Sequence, residues 1–344
     1  MLFISFILFF FGILINYIVI NNYKSLHLNI LLDKEYSKPQ SFHRKPILCF
    51  GGLSLYILFL ILFLFLDSKF VKNFFFLMSI AFILGLIDDL KIKLRPLLRL
   101  ILIFILFFIF IYLLNINIDN IQLDFLNNIF KEYYYFKIFF ISLCFVFIIN
   151  GSNFIDGFNG LLIIHALIIL FLINFINYFF NHYELLFFGV ISFFIILSFV
   201  FFNFPIAKLF LGDGGSYLIG TLISYLIIET SNYNPNISSF FFCCLLYYLF
   251  FEVFFSFIRK FLYEKKNPLI PDKKHLHMLF FLKKKKQLNS ITSNYVTGFS
   301  LNIIYFLTLT PIFYFYNNNF FLKYYFFILI SIYLIFYYKL SKNK

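Results

Sequence analysis

IFFISLCFVFIINGSNFIDGFNGLLIIHALIILFLINF, residues 138–175, sets a segment crowded with polar groups between two apolar runs, 137–150 and 161–180. From Asn150 to Gly160 it holds three glycines, three asparagines and Asp156. A helix needs about 20 predominantly apolar residues to cross a bilayer, and in lipid the backbone must satisfy its own hydrogen bonds. The stretch therefore reads as two spanning helices joined by a polar connection richer in functional groups than a plain turn needs.

Working outward, the same alternation recurs along the chain. Eleven apolar runs are readable, at about 2–20, 47–66, 73–87, 97–114, 137–150, 161–180, 185–202, 215–229, 238–258, 295–316 and 322–338. With 62% hydrophobic and 12% charged residues over 344 positions and a mean hydropathy of +0.93, there is too little polar surface to cover a soluble globule. The expectation is an all-α, polytopic membrane protein of about 10–11 spans forming one domain over 1–344, with no soluble domain and no internal repeat. Residues 1–20 carry neither a basic N-terminal region nor an A-x-A cleavage site, so they read as a retained first helix.

Basic residues orient the bundle, because cytoplasmic loops carry the excess of Lys and Arg. With the N-terminus outside, segments 21–46, 88–99, 151–160, 203–214, 259–294 and 339–344 lie inside and hold 23 of the 28 Lys and Arg. The net charge of +13 is thus concentrated next to the membrane, where it meets anionic headgroups; no nucleic-acid motif accompanies it. Cys49, Cys144, Cys243 and Cys244 lie in or beside apolar runs without a CxxC pair and read as packing residues. The 61 Phe are spread through nearly every run, which marks compositional bias, and Lys283 to Lys286 read as a solvated or headgroup-facing patch.

Four polar segments stand apart, all bordering the same side: GLIDDL (85–90), NGSNFIDGFNGL (150–161), NFPIAKLFLGDGGS (203–216) and PDKKHLHML (271–279). Carboxylates beside hydrocarbon are costly and mark function. Asp88 and Asp89 repel each other unless a cation is close; the bland reading is that Lys91, Lys93 and Arg95 neutralise an interfacial boundary. In the second segment Asn150, Asn153 and Asn159 offer donors and acceptors to a base or sugar. Gly212 to Ser216, with Lys208 upstream, resembles a phosphate-cradling loop opening a helix near Gly215 or Ser216, and the hard oxygens of Asp213 suit Mg²⁺, with Mn²⁺ as an alternative. His275 and His277, at i and i+2, do not share a helix face; among Arg259, Lys260, Lys273 and Lys274 they suit a polyphosphate better than zinc. His165 and His182 read as structural.

Together, from His43-Arg44-Lys45-Pro46 and Gly51-Gly52 through His275-Leu276-His277, this ordered set resembles the polyprenyl-phosphate N-acetylhexosamine-1-phosphate transferases, glycosyltransferase family 4. That family starts peptidoglycan, O-antigen and related cell-envelope glycans, and the stretch Pro271–His277 is similar to the GlcNAc-1-phosphate type. The resemblance implies a Mg²⁺-dependent transfer of sugar-1-phosphate from a UDP-sugar to undecaprenyl phosphate at the cytoplasmic face of a bacterial inner membrane, with release of UMP. It implies catalytic roles for Asp88, Asp89 and Asp156, metal binding by Asp213, and substrate contacts from Asn150, Asn153, Asn159, Lys208, His275 and His277. The implied partners are the two substrates and membrane lipid, with a homodimer left open. Two positions depart from the family pattern: Asn159 stands where many members have a second aspartate, and Ile92 where the DDxxD form has a polar residue. Competing readings are an ion-coupled transporter or flippase, in which carboxylates near the midplane and paired repeats are expected, and an inactive scaffold of the same fold.

Overall fold

A computed structural model of the chain describes residues 2–34, 46–92 and 94–342, so His43, Arg44, Lys45 and Lys93 lie outside the described residues. Every apolar run becomes a helix: α1 Leu2–Asn22, α2 Gly51–Phe65, α3 Lys69–Asp89, α4 Pro96–Leu113, α6 Tyr134–Ile155, α7 Leu161–Phe179, α8 Tyr183–Asn203, α9 Gly212–Tyr233, α10 Ser239–Ile258, α12 Ser290–Tyr314 and α13 Asn319–Lys342. Local chemistry sets several starts. The Ser68 and Asn289 side chains accept from the Val71 and Thr292 N–H groups, and Pro96 opens α4 where its missing N–H costs nothing. Two shorter helices, α5 Asp124–Glu132 and α11 Leu276–Lys285, lie in segments expected to be loops.

Among the described residues nine helices are long and apolar enough to cross a membrane, which makes this a multi-pass membrane protein. The difference from eleven lies in α2, only 15 residues long, and α9. In α9 every residue from Gly214 to Ile228 is buried. It is packed most extensively against α3 and α6, and also against α2 and α7. Its Gly215, Ser216, Gly220, Thr221 and Ser224 let neighbouring helices approach closely, which drives packing where lipid removes the hydrophobic incentive. α9 is therefore the axis of the bundle. α1, α4 and α13 form its lipid-facing rim, with 28%, 17% and 22% of their apolar windows buried.

The two ends of the bundle differ. At one, three short strands form a sheet: β1 Leu32–Asp33 runs antiparallel to β2 Ile47–Cys49, which is parallel to β3 Leu209–Phe210, pairing Leu48 with Leu209 and Cys49 with Phe210. Each of the two parallel strands leads straight into a helix, α2 and α9, and the Gly52 N–H donates to the Leu211 carbonyl at 2.8 Å. At the other end, residues 115–123 are stitched across the bundle by amide side chains. Asn232 of α9 accepts from the Asp119 N–H at 3.1 Å and donates to the Asn117 carbonyl at 2.8 Å. Gln122 donates to the Pro235 and Ile237 carbonyls at 3.4 and 3.3 Å and accepts from the Ser239 N–H at 3.2 Å. Asn319 of α13 donates to the Gln122 carbonyl at 3.4 Å.

Candidate active site

The acidic motifs meet at the end that carries the small sheet. Two carboxylates on the last turn of α3 face the negative pole of that helix, an unfavourable place unless each finds a positive partner. Asp89 finds one in the start of α9: its Oδ1 accepts from the Asp213 N–H at 2.8 Å and its Oδ2 from the Gly214 N–H at 2.9 Å. The close approach requires glycine twice. Gly212 has φ 79°, and a Cβ there would sit 2.6 Å from Asp89 Oδ2; a Cβ on Gly85 would lie 2.5 Å from the Asp213 carbonyl oxygen. The anion cradled by the glycine-rich turn is thus an internal carboxylate, and α9 begins at Gly212, three residues before the expected Gly215. Asp89 acts here as the group that positions Asp213.

Asp88 pairs with Arg99, whose Nη1 also donates to Asp213 Oδ2 at 3.1 Å. The guanidinium lies 5.7 Å from the centre of the Tyr217 ring. Arg99, in the first turn of α4, takes toward Asp88 the part expected of Lys91 and Arg95, because the chain turns back at Pro96 and carries that helix start over the carboxylates; Lys93 lies outside the described residues. Asn153, in the last turn of α6, donates to Asp213 Oδ1 at 2.9 Å and to Ser216 Oγ at 3.1 Å. Asp213 is therefore held from three other helices. The opposed oxygens of Asp88 and Asp213 already share one cation, and hard oxygens so arranged fit a divalent ion. No group of three or more His, Cys, Asp or Glu among the described residues could hold a metal by itself, so phosphate or water oxygens must complete any such shell.

Asp156 follows α6 directly and is half-buried. Burial, then the charges of Asp213 and Asp89, raise its carboxyl well above the usual range. The Cys49 thiol is likewise pushed up by burial and then by Asp89, Asp33, Asp213 and Asp156, so the charges of carboxylates from four chain segments reach the end of β2. A carboxylate whose pKa is raised by folding loses stability as pH climbs from the ordinary value near 4 through the raised one. In metal-free protein the thermal midpoint of wild type is expected to fall over that range. Asp156→Asn should remove that dependence and raise the neutral-pH midpoint by a few degrees while lowering activity; parallel profiles in a melt series would contradict this.

Other expected site residues are placed differently. Asn150 donates to the Val146 carbonyl of its own helix at 2.7 Å. Asn159 donates to the Pro205 carbonyl at 2.9 Å, while its N–H donates to Asn294 Oδ1 at 2.8 Å. An ionised aspartate at 159 would have no proton to give the Pro205 carbonyl. Lys208 is exposed on the connection between α8 and β3.

His275 and His277 are both buried, and their rings stack at 5.4 Å, tilted by 10°. The expectation from i, i+2 spacing fails because His275 precedes the helix, with ψ 152°, which swings its ring over that of His277. Burial pushes His277 down to about 4, with Glu252 raising it and His275 lowering it further. His275 Nδ1 lies 2.8 Å from Glu252 Oε1, which also accepts from the Leu276 N–H at 3.2 Å, and the Tyr333 hydroxyl donates to Oε2 at 2.7 Å. Arg259 bridges Glu264 and Asp272 at 2.7 and 2.8 Å, and Lys260 donates to the Ile270 carbonyl at 2.8 Å. These two basic residues brace the loop instead of facing out. Sequence reading missed Arg99, Asp33, Glu252 and Tyr333; only Glu252, a lone acid inside the run 238–258, carried a signal.

Residues 71–231, from α3 through α9, match the family described as Glycosyl transferase family 4. Over 242 residues the chain is 29% identical to the undecaprenyl-phosphate alpha-N-acetylglucosaminyl 1-phosphate transferase of Thermotoga maritima, covering 69% of each protein. The family resemblance read from the motifs is borne out. The matched segment contains Asp88, Asp89, Asn153, Asp156 and Asp213 and stops short of His275 and His277.

Proposed function

We propose that this chain, a polytopic membrane protein whose motif-bearing core matches glycosyl transferase family 4, is a polyprenyl-phosphate sugar-1-phosphate transferase. The donor is a UDP-sugar, expected to carry an N-acetylhexosamine, and the acceptor is undecaprenyl phosphate. The observation that carries the reading is the pair Asp88 and Asp213, brought from α3 and α9 to share one cation at the end of the bundle. In the reaction an oxygen of the lipid phosphate bonds to the β-phosphorus of the nucleotide sugar, the bond from that phosphorus to the bridging oxygen breaks, and UMP leaves with the electron pair.

Asp213 and Asp88 would hold Mg²⁺, which supplies neutralisation of the charge spread over the diphosphate. The remaining work falls to protein groups. Asp89 fixes the start of α9 and with it the direction of the Asp213 side chain, and Asn153 restrains the second Asp213 oxygen. No residue need serve as base, since a phosphate monoester with second pKa about 6 is mostly dianionic at neutral pH. The site's place at one end of the bundle suits substrates of which one keeps its tail in lipid while the other arrives from water. The excess of Lys and Arg in the loops of that end supports a cytoplasmic face for it, and the proposed acceptor supports a bacterial inner membrane.

A transporter needs access from both sides, and the amide stitching at the opposite end argues for a one-sided machine. The test is purified protein with undecaprenyl phosphate, Mg²⁺ and a panel of UDP-sugars, read by UMP release. Turnover is expected with at least one UDP-N-acetylhexosamine. A folded protein that releases no UMP from any sugar overturns the reading.

A further inference from the structure

Arg99 sits between the two carboxylates that would hold a metal. Its Nη1 lies between Asp88 Oδ2 and Asp213 Oδ2, while the other Asp213 oxygen is engaged by Asn153. The three side chains are only partly exposed, 21% for Arg99, 17% for Asp88 and 38% for Asp213, so solvent screens the interaction incompletely. Arg99 also stands in the first turn of α4, where the positive pole of the helix disfavours a cation. Its placement therefore depends on the two carboxylates and the Tyr217 ring. A divalent ion seeking the same oxygens must compete with a guanidinium tethered beside them.

Taking the proposed transferase reading as its premise, we infer that Arg99 is a resident counter-cation that exchanges with the divalent metal and moves onto the phosphates of the anionic donor. A guanidinium binds phosphate oxygens through a planar fork, so a nucleoside diphosphate offers Arg99 a second anchor as its first is taken. Metal and diphosphate then bind cooperatively: each helps the other by drawing Arg99 away from Asp88 and Asp213, and the two effects are equal by linkage.

The experiment measures Mn²⁺ binding without turnover. Full-length protein in lipid nanodiscs is titrated with Mn²⁺, free ion being followed by electron paramagnetic resonance, with and without uridine diphosphate, for wild type and Arg99→Gln. The variant is expected to bind Mn²⁺ alone on the order of tenfold more tightly than wild type. The gain in Mn²⁺ affinity that uridine diphosphate gives wild type should shrink in the variant. Unchanged or weaker binding by Arg99→Gln, or an undiminished diphosphate effect, overturns the exchange. If loss of the charge prevents folding, Arg99→Lys carries the same comparison, since a single ammonium replaces the fork; a gain in the same direction is expected, and equal affinity rejects the idea. Wild-type UMP release separates the two claims. Turnover with an Arg99-independent metal affinity leaves the transferase standing without the exchange, whereas absence of Mn²⁺ binding to every protein, with or without diphosphate, overturns both the exchange and the metal reading.

Discussion

Asp213→Asn is expected to lower turnover by about 10²- to 10³-fold, the usual cost of removing one preorganised charge-stabilising group. The substitution is nearly isosteric. Asp89 still receives the N–H groups of residues 213 and 214, and Arg99 keeps Asp88, so the start of α9 should hold. What disappears is one negative charge facing the proposed metal position. Activity should recover partly as Mg²⁺ is raised, and the thermal midpoint should stay near that of wild type. The decisive measurement is UMP release against Mg²⁺ concentration: a variant with wild-type rate and the same Mg²⁺ dependence refutes the assignment of Asp213.

The second large effect is on stability. Glu252→Ala leaves three buried donors without their acceptor: His275 Nδ1, which must be the protonated nitrogen against a carboxylate, the Leu276 N–H at the start of α11, and the Tyr333 hydroxyl of α13. Each orphaned donor costs about 1–3 kcal/mol. The three share one site and will not add, so a loss of about 2–4 kcal/mol is expected. Glu252→Gln keeps an acceptor oxygen and should recover most of that loss, while Tyr333→Phe should show a smaller one. Thermal melts in mild detergent decide; a midpoint for Glu252→Ala equal to wild type would mean that this carboxylate does not hold α10, α11 and α13 together.

The sequence was informative where one segment is enough to decide an outcome. Apolar length fixed the helices, and the cost of carboxylates beside hydrocarbon singled out Asp88, Asp89, Asp156 and Asp213. It was silent where the partner lies far along the chain. Nothing near Asp89 reveals that it receives N–H groups from residues 213 and 214, more than 120 residues away. Arg99 could not be told from Lys91 or Arg95 before the turn at Pro96 was known. Strands of two or three residues, Leu32–Asp33, Ile47–Cys49 and Leu209–Phe210, are too short for alternation to register. The burial of α9 escaped hydropathy because lipid and protein interior are equally apolar; its small residues carried the distinction. The basic loop misled for a related reason: Arg259 and Lys260 look like surface charge in sequence, yet Glu264, Asp272 and backbone carbonyls fold over them.

The tie of Asn117, Asp119 and Gln122 to α9, α10 and α13 has a consequence for cellular logistics. Under the proposed function these ties favour a single working face, the end that carries the small sheet. Under the proposed transferase function the glycolipid product would stay in the leaflet where it is made, and its passage across the bilayer would fall to a separate carrier.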